Sequence, residues 1–553
     1  MHPPAPSPPP GRPLSRWIKV IALILILLGI GFRSTNLDLK PFWEDEVYAI
    51  TRVSGYRLWP VFSQDLDQQR LTVKDLEKYR DPRSGQSWTD MMLALAGATE
   101  HTPLYFLALR VWSGIVGHST AALRALSVLC SVVGIGVFYL LGRSLFPTDR
   151  PLGDAAGWGS MTLASLSPLL LRYAQETRSY SLWMIGLGLS TWALLRAWRS
   201  PSQWNWCIYG LTLLLAFYTH LLTLFVIVSH GIALIIHGCL NRWQQTPFKA
   251  WILTTLASGL FMSPWLALIV YRQGIIRARM RWLTTSQPLD SIVRAWGRGF
   301  SSTWLEIPIQ LQSVWYLVAL AALIGIAIAT VYLWRHSQPN SIITILSFAL
   351  IPTLTILAMD LLSGGHRSTI NRYFIPAYVG LLTLSGSALG CMLAGRVGQQ
   401  RLSAKNLGLW SGTALLLLIS TLSMGQLHRA PTWWGWSSFI PTFTRTIQKE
   451  PDAILITDYR VGAFLPLAYA LPPEQKLMWI NPDVVQSTPR LSLPIADNEG
   501  IFLFAPSKEL QQIVKAQRQR SRLAPIEQDK SPTLWFMPPS PPEPSPRSPE
   551  SHG

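Results

Sequence analysis

The sequence predicts a polytopic α-helical membrane protein of about eleven transmembrane helices, with a small α/β domain on the outer face at its C-terminal end. Three observations carry that reading. Only 14% of the 553 residues are charged and 49% are hydrophobic, whereas a soluble globular chain carries about 25% charged residues. The apolar residues fall into runs long enough to cross a bilayer, which takes about 20 residues each. After Gly425 the runs stop, and strand-like and helix-like segments alternate instead. This composition excludes a secreted disulfide scaffold, a disordered chain and a cytosolic multidomain enzyme. It also turns the net charge of +18 from a nucleic-acid signal into a matter of membrane phosphates.

The elements follow in chain order. Residues 1–16 are proline-rich, with no core to join, and read as a disordered tail. Trp17 to Phe32 is the first span, with Arg12, Arg16 and Lys19 on its N-terminal side. A signal peptide shares that layout, but the exit Gly-Phe-Arg-Ser-Thr-Asn has no small-x-small cleavage site. The helix is therefore expected to stay, with its N-terminus in the cytoplasm. Further spans are expected at 121–142, 155–171, 181–199, 204–220, 221–240, 250–270, 314–334, 341–362, 373–395 and 407–425. Pro103–Gly117 is too short and carries Arg110 at its middle; a charge at the bilayer centre is costly, so this segment is assigned to the interface. Cys130, Cys207, Cys239 and Cys391 all lie in apolar runs and read as small hydrophobes, with neither metal nor disulfide spacing.

With that assignment the cytoplasmic loops carry Arg143, Arg150, Arg196, Arg199, Arg242, Lys249, Arg335, Arg396, Arg401 and Lys405, as the positive-inside rule requires. The outer loops also hold arginines: Arg272, Arg277, Arg279, Arg281, Arg294 and Arg298 in 271–312, and Arg172, Arg178, Arg367 and Arg372 in shorter loops. One reading is snorkelling to lipid headgroups; the other is a polar outer-face site that needs guanidinium groups for a phosphate. Beyond residue 425, Ala453–Thr457 and Gly500–Phe504 read as buried strands and Ser507–Gln519 as a helix capped by its serine. A second Pro/Ser-rich tail begins at Pro538, and no 20–50-residue repeat is visible.

The loop after the first span reads Pro41-Phe-Trp-Glu-Asp-Glu-Val-Tyr48, on a helix expected to start near Pro41. Consecutive helical residues point about 100° apart, so Asp45 and Glu46 cannot share one target. A solvated acidic helix start, favoured by the helix dipole, accounts for the composition equally well.

These residues also carry a resemblance. Trp43-Glu-Asp-Glu46, early in the first outer loop, resembles the acidic motif of membrane glycosyltransferases with the C-type fold, and in particular the protein O-mannosyltransferase and aminoarabinose transferase group, family 39. His101-Thr-Pro-Leu-Tyr-Phe106 with Ala122-Leu-Arg-Ala-Leu-Ser127, and Ser167-Pro168 with Tyr173-Ala-Gln-Glu-Thr-Arg-Ser-Tyr180, are similar to two longer family segments. Tyr218-Thr-His220 and Arg372-Tyr-Phe-Ile-Pro376 have counterparts as well, so the resemblance spans roughly residues 17–425. Thr102 departs from it, standing where the family often has a second proline.

The resemblance implies a transmembrane glycosyltransferase domain over 17–425 with a catalytic outer loop at 34–120, followed by the extracytoplasmic α/β domain at 426–537 and a tail at 538–553. It implies a multi-pass protein of the plasma (inner) membrane that moves a hexosyl or pentosyl unit from a polyprenyl-phosphate sugar to a lipid, polysaccharide or protein acceptor. Asp45 would be the general base, with Glu46 as its alternate. Arg124, Gln175, Glu176, Arg178, Tyr180, His220, Arg372 and Tyr373 would meet the donor phosphate or sugar, and Trp43, His101, Tyr105 and His366 would line the cavity. The residue types suit the chemistry: a carboxylate can take the proton of an incoming hydroxyl, and arginine meets phosphate oxygens bidentately. Several candidates have plainer roles open to them: Arg124 as an interfacial anchor, Glu176–Arg178 as a structural pair, His220 as a hydrogen-bonded structural residue. Tyr48 and Tyr105 are candidates for stacking on a sugar. No cofactor is firmly indicated; a divalent metal near the acidic motif, which some relatives bind, is a candidate, and nothing in the sequence fixes one. Two other classes stay open, a transporter or flippase of polyprenyl-linked glycans and an assembly protein of the cell envelope.

Overall fold

The computed structural model describes residues 13–58, 61–243, 246–306, 312–396, 404–433, 437–488, 490–518, 521–527 and 532–540; most of both proline-rich tails, residues 1–12 and 541–553, lies outside them. The principal helices run, in chain order, α1 (Arg16–Ser34), α2 (Glu44–Val53), α3 (Leu104–Val116), α4 (Thr120–Arg143), α5 (Arg150–Ser165), α6 (Pro168–Ala174), α7 (Tyr180–Arg199) and α8 (Gln203–Thr219). There follow α9 (Thr223–Leu240), α10 (Phe248–Tyr271), α11 (Leu289–Ser301), α12 (Gln312–His336), α13 (Pro339–Ser363), α14 (Ile375–Arg396) and α15 (Ala404–Arg429). The C-terminal part holds α16 (Ile440–Ile447), α17 (Val461–Ala468), α18 (Pro482–Ser487) and α19 (Lys508–Gln517). The chain divides into two compact units: residues 1–37 with 95–430, and residues 38–94 with 431–553.

In the first unit, eight helices among the described residues are long and apolar enough to cross a membrane: α1, α4, α9, α10, α12, α13, α14 and α15. The chain is a multi-pass membrane protein. The three other expected spans are present as helices but fall short in length or hydropathy. Helices α5 and α8 have 16 and 17 residues. Helix α7 has 20, but it is largely buried and carries Ser190, Thr191 and Arg196. Inner helices of a bundle touch protein instead of lipid and hold small and polar residues accordingly, which lowers the hydropathy that marks a span. The expected run 155–171 is also cut in two. Ser167 caps α6, its Oγ accepting from the Leu170 amide at 3.4 Å, and Pro168 takes the first helical position, where its missing N–H does no harm.

The expected interfacial segment is the 13-residue helix α3, too short to span. Arg110 is buried inside the unit while Val111, Ile115 and Val116 are exposed, so its charge is directed away from the apolar face. Close packing between α5 and α14 depends on glycine: a Cβ on Gly159 would stand 2.1 Å from the Gly386 carbonyl oxygen, and one on Gly390 2.0 Å from that of Ala155. Ser160 lies in the same seam, donating to the Thr383 carbonyl at 3.0 Å and bonding the Ser387 hydroxyl at 2.8 Å.

The second unit is α/β. Its strands, β1 (Leu71–Thr72), β2 (Ile454–Thr457), β3 (Lys476–Trp479), β4 (Ile501–Phe504), β5 (Ala524–Glu527) and β6 (Leu534–Met537), form one sheet in the order β1-β3-β2-β4-β6-β5. The centre, β3-β2-β4, is parallel, and β1 and β6 flank it antiparallel. Both expected strands appear one residue shorter at their start, and the expected C-terminal helix is α19, capped by Ser507, whose Oγ accepts from the Leu510 amide at 3.0 Å. The core is aliphatic: Ile454, Ile456, Met478, Ile501 and Leu503 pack with Leu510 and Val514 of α19.

The unit boundaries differ from the single boundary that the hydropathy suggests. Residues 38–94, counted by sequence within the outer loop 34–120, fold with the C-terminal residues. They add β1 to the sheet edge, and Arg70 pairs with Glu499 at 2.5 Å. Asp67 accepts from the Asn481 amide at 2.7 Å, and Tyr469 donates to the Leu76 carbonyl at 3.2 Å. Such pairing across distant sequence carries no hydropathy signature.

Candidate functional site

The acidic motif belongs to the α/β unit. Helix α2 begins at Glu44, three residues later than expected, with Trp43 as its N-cap. The structure gives its three carboxylates different surroundings. Glu46 is fully buried and turns back on the helix start, its Oε2 accepting from the Trp43 amide at 3.3 Å. Glu44 accepts from the Tyr48 hydroxyl at 3.1 Å. Asp45 is half-buried. Burial and the Glu44 carboxylate hold the Tyr48 hydroxyl well above its ordinary pKa. Burial acts to lower the Arg460 guanidinium, but Glu44, Tyr459 and Tyr48 outweigh it and hold it raised. Glu46, the alternate base by sequence, is thus a helix-capping residue, and Trp43 is a buried one at the cap.

The basic candidates belong to the membrane unit, and several converge. Residues 172–181 are all buried. Arg178 donates to the Tyr180 hydroxyl at 3.4 Å, with its guanidinium 5.5 Å from the centre of that ring. Tyr180 meets Tyr173 edge-on at 5.1 Å and His220 at 6.2 Å. His220 stacks on Trp183 at 4.1 Å and its Nδ1 accepts from the Leu222 amide at 3.3 Å. Segments 172–180 and 218–220 thus meet at one place, and Arg178 and Arg372 both lie near enough to bear electrostatically on His220. Arg372 is half-buried, 5.8 Å from the centre of the Tyr373 ring. Glu176 and Arg172 act on Tyr173, which brings them into the same neighbourhood.

Other candidates have structural partners. Gln175 donates to the carbonyls of Phe32, Arg33 and Thr35 at 2.9, 3.3 and 2.9 Å, closing the end of α1, where helical carbonyls lack partners. Arg124 is buried and donates to the Leu37 carbonyl at 2.7 Å. Tyr105 is fully buried and bonds Ser127 at 2.8 Å, which in turn donates to the Arg178 carbonyl at 3.1 Å; it supports the cluster from below and has no face open for stacking. His101 sits in a turn, 5.9 Å from the Phe106 ring, and Nδ1 of His366 lies 2.8 Å from the Thr285 carbonyl.

Two residues outside the sequence-derived candidates matter. Arg33 is fully buried and donates to Ser131 at 3.1 Å, to the carbonyls of Gly29 at 2.9 Å and Ala164 at 3.0 Å, and to that of Ser165. It fills the break between α5 and α6 that Pro168 creates. Arg298 on α11 pairs with Glu306 at 3.5 Å and bears on Arg172, which extends the basic cluster. For Arg33 the only sequence signal is a charge at the end of a span; for Arg298 it is its place among the arginines of 271–312, which does not single it out.

Among the described residues no three His, Cys, Asp or Glu side chains gather as a metal-ligand set. Glu46 turns to the helix start and Glu44 accepts from Tyr48.

This membrane architecture is the C-type glycosyltransferase fold. The structure superposes on ArnT from Cupriavidus metallidurans bound to undecaprenyl phosphate with a TM-score of 0.52 and 13% identity, covering 94% of this chain and 98% of that one. The apo form of the same protein gives 0.51 and 14% over the same shares. Within that class the family 39 resemblance is borne out: residues 100–267 match the family model described as dolichyl-phosphate-mannose-protein mannosyltransferase. No curated protein matches the chain by sequence.

Proposed function

We propose that this protein is a glycosyltransferase that moves a hexosyl or pentosyl unit from a polyprenyl-phosphate donor to an acceptor hydroxyl on the extracytoplasmic face of the plasma membrane. The observation that carries the reading is the buried cluster of Arg178, Tyr180 and His220, in a chain whose residues 100–267 match a lipid-phosphate mannosyltransferase family. Undecaprenyl phosphate bound to ArnT, which shares the fold, supports the donor class.

In the proposed reaction Asp45 takes the acceptor proton as the acceptor oxygen bonds to the anomeric carbon. The bond from that carbon to the phosphate oxygen breaks, and polyprenyl phosphate leaves with the electron pair. Arg178 and Arg372 hold the phosphate as its charge grows, the moment at which fixed donors count most; Arg124 is the third candidate. Asp45 is preferred because it is the aspartate of the acidic motif, the residue that the family resemblance marks as the base. No feature of the fold favours the transporter reading.

The test is transfer of radiolabelled sugar by the purified protein from polyprenyl-phosphate donors to envelope lipid, polysaccharide and protein fractions. Transfer is expected with at least one acceptor class. Donor binding without transfer to any would overturn the reading in favour of transport.

A further inference from the structure

Three consecutive carboxylates on one helix leave it about 100° apart, so the direction of the middle one depends on how the helix is rotated about its axis. In α2 both outer carboxylates are anchored. Glu46 is held at the helix start by the Trp43 amide. Glu44 lies against the backbone of α17, far along the chain but within the same α/β unit: a Cβ on Gly462 would stand 2.2 Å from Glu44 Oε1, 2.3 Å from Cδ and 2.5 Å from Cγ. The Tyr48 hydroxyl, one turn further along α2, donates to that same Oε1. An alanine at position 462 would make the Glu44 carboxylate move from this seat.

The flanks of α2 are tied to the C-terminal residues as well. The Lys40 ammonium sits 4.6 Å from the centre of the Trp433 ring, Phe42 meets Tyr469 edge-on at 6.4 Å, and Ser437 donates to the Phe42 carbonyl at 3.4 Å. Val47, Ala49, Ile50 and Val53 bury the inner side of the helix. Arg460, just before α17, adds a positive charge that acts on Glu44.

We propose that Glu44, seated on Gly462 and Tyr48, is a positioning residue that sets the direction of the Asp45 carboxylate, so that the C-terminal α/β segment takes part in catalysis through the base. The proposal rests on the reading of Asp45 as the general base. It assigns Glu44 and Gly462, neither of which touches the substrate, a role that the acidic character of the motif alone does not reveal.

The test uses the full-length protein in nanodiscs, with radiolabelled mannosyl undecaprenyl phosphate as donor probe and a membrane extract as acceptor source. Gly462→Ala is expected to lower kcat by about 10–100-fold, the effect of a misplacement near 1 Å, with the donor KM within twofold of wild type. A purely structural role would instead lower melting temperature and leave the kcat of the folded fraction unchanged. Should Gly462→Ala fail to fold, Tyr48→Phe removes only the hydroxyl on Glu44 and should cost about fivefold in kcat at unchanged melting temperature. Full kcat in the folded Gly462→Ala or in Tyr48→Phe would overturn the proposal.

Carbodiimide labelling read by peptide mass spectrometry tests the seat without catalysis. Asp45 should label in the wild type while Glu44 is protected, and Glu44 should label in Gly462→Ala. Equal labelling of Glu44 in both proteins would overturn the seat. If wild type transfers no sugar but the labelling change is present, the seat stands and the reading of Asp45 as a base falls.

Discussion

In the membrane unit, leucines such as Leu253, Leu260 and Leu323 stand exposed while Arg33, Arg124, Arg172 and Arg178 are buried. In the α/β unit the apolar side chains go inside instead: Ile454, Ile456 and Leu503 are fully buried, while Arg70 and Lys476 stay partly exposed and pair with the one buried carboxylate of Glu499. The difference reflects the solvent. Lipid offers no gain for hiding a leucine, so the membrane unit buries small and polar groups and satisfies them internally. Water rewards apolar burial, so the sheet collapses on its aliphatic side chains. The lesson concerns the arginines: a buried guanidinium in the membrane unit is first of all a hydrogen-bond donor to stranded carbonyls, as Arg33 and Arg124 show, and only where several meet away from such carbonyls do they suggest an anion site.

The largest expected effect falls on the carboxylate side of that comparison. Asp45→Asn should lower transfer by about 10²–10⁴-fold, the usual contribution of a general base, while donor affinity measured by equilibrium binding stays within twofold. A loss of donor binding equal to the loss of transfer would place Asp45 among the binding groups.

Next comes the structural arginine. Arg33→Leu leaves the Ala164 and Ser165 carbonyls without their guanidinium and should destabilise the protein by about 2–4 kcal/mol, each stranded buried group costing about 1–3 kcal/mol. Thermal unfolding in nanodiscs should show a lowered Tm. An unchanged Tm would mean that the break between α5 and α6 holds itself together.

A smaller effect separates the proposed phosphate arginines from Arg143. Arg372→Ala should weaken donor binding by tenfold or more, since a charge-assisted contact is worth about 1.5–3 kcal/mol, and Arg372→Lys should recover only part of it. Arg143, half-exposed beside Asp154 at 3.6 Å, should leave affinity unchanged when replaced by Ala. Equal losses would reduce the cluster to general membrane electrostatics.

The smallest is the cap. Glu46→Ala should cost about 1 kcal/mol of stability, as lost helix caps do, while Glu46→Gln, which keeps an acceptor for the Trp43 amide, should be close to neutral in both Tm and transfer. A large catalytic loss in Glu46→Gln would return Glu46 to the list of bases.

The sequence alone was enough to establish a polytopic helical membrane protein, the family resemblance and the identity of two C-terminal strands, because hydropathy runs, ordered motifs and strand-length apolar segments are local patterns. It placed Arg178, Tyr180, His220 and Arg372 among the candidates through motifs, and the structure brings the first three together. Tertiary structure decided the rest. That Gln175 closes the end of α1, that Glu46 caps α2 while Glu44 lies on Gly462, and that residues 38–94 complete a sheet whose other strands begin at residue 454 all depend on partners distant along the chain. Composition shows which residues can ionise or donate; only the packing of remote segments decides which carbonyl, ring or glycine each of them meets, and that meeting separates a structural charge from a chemical one.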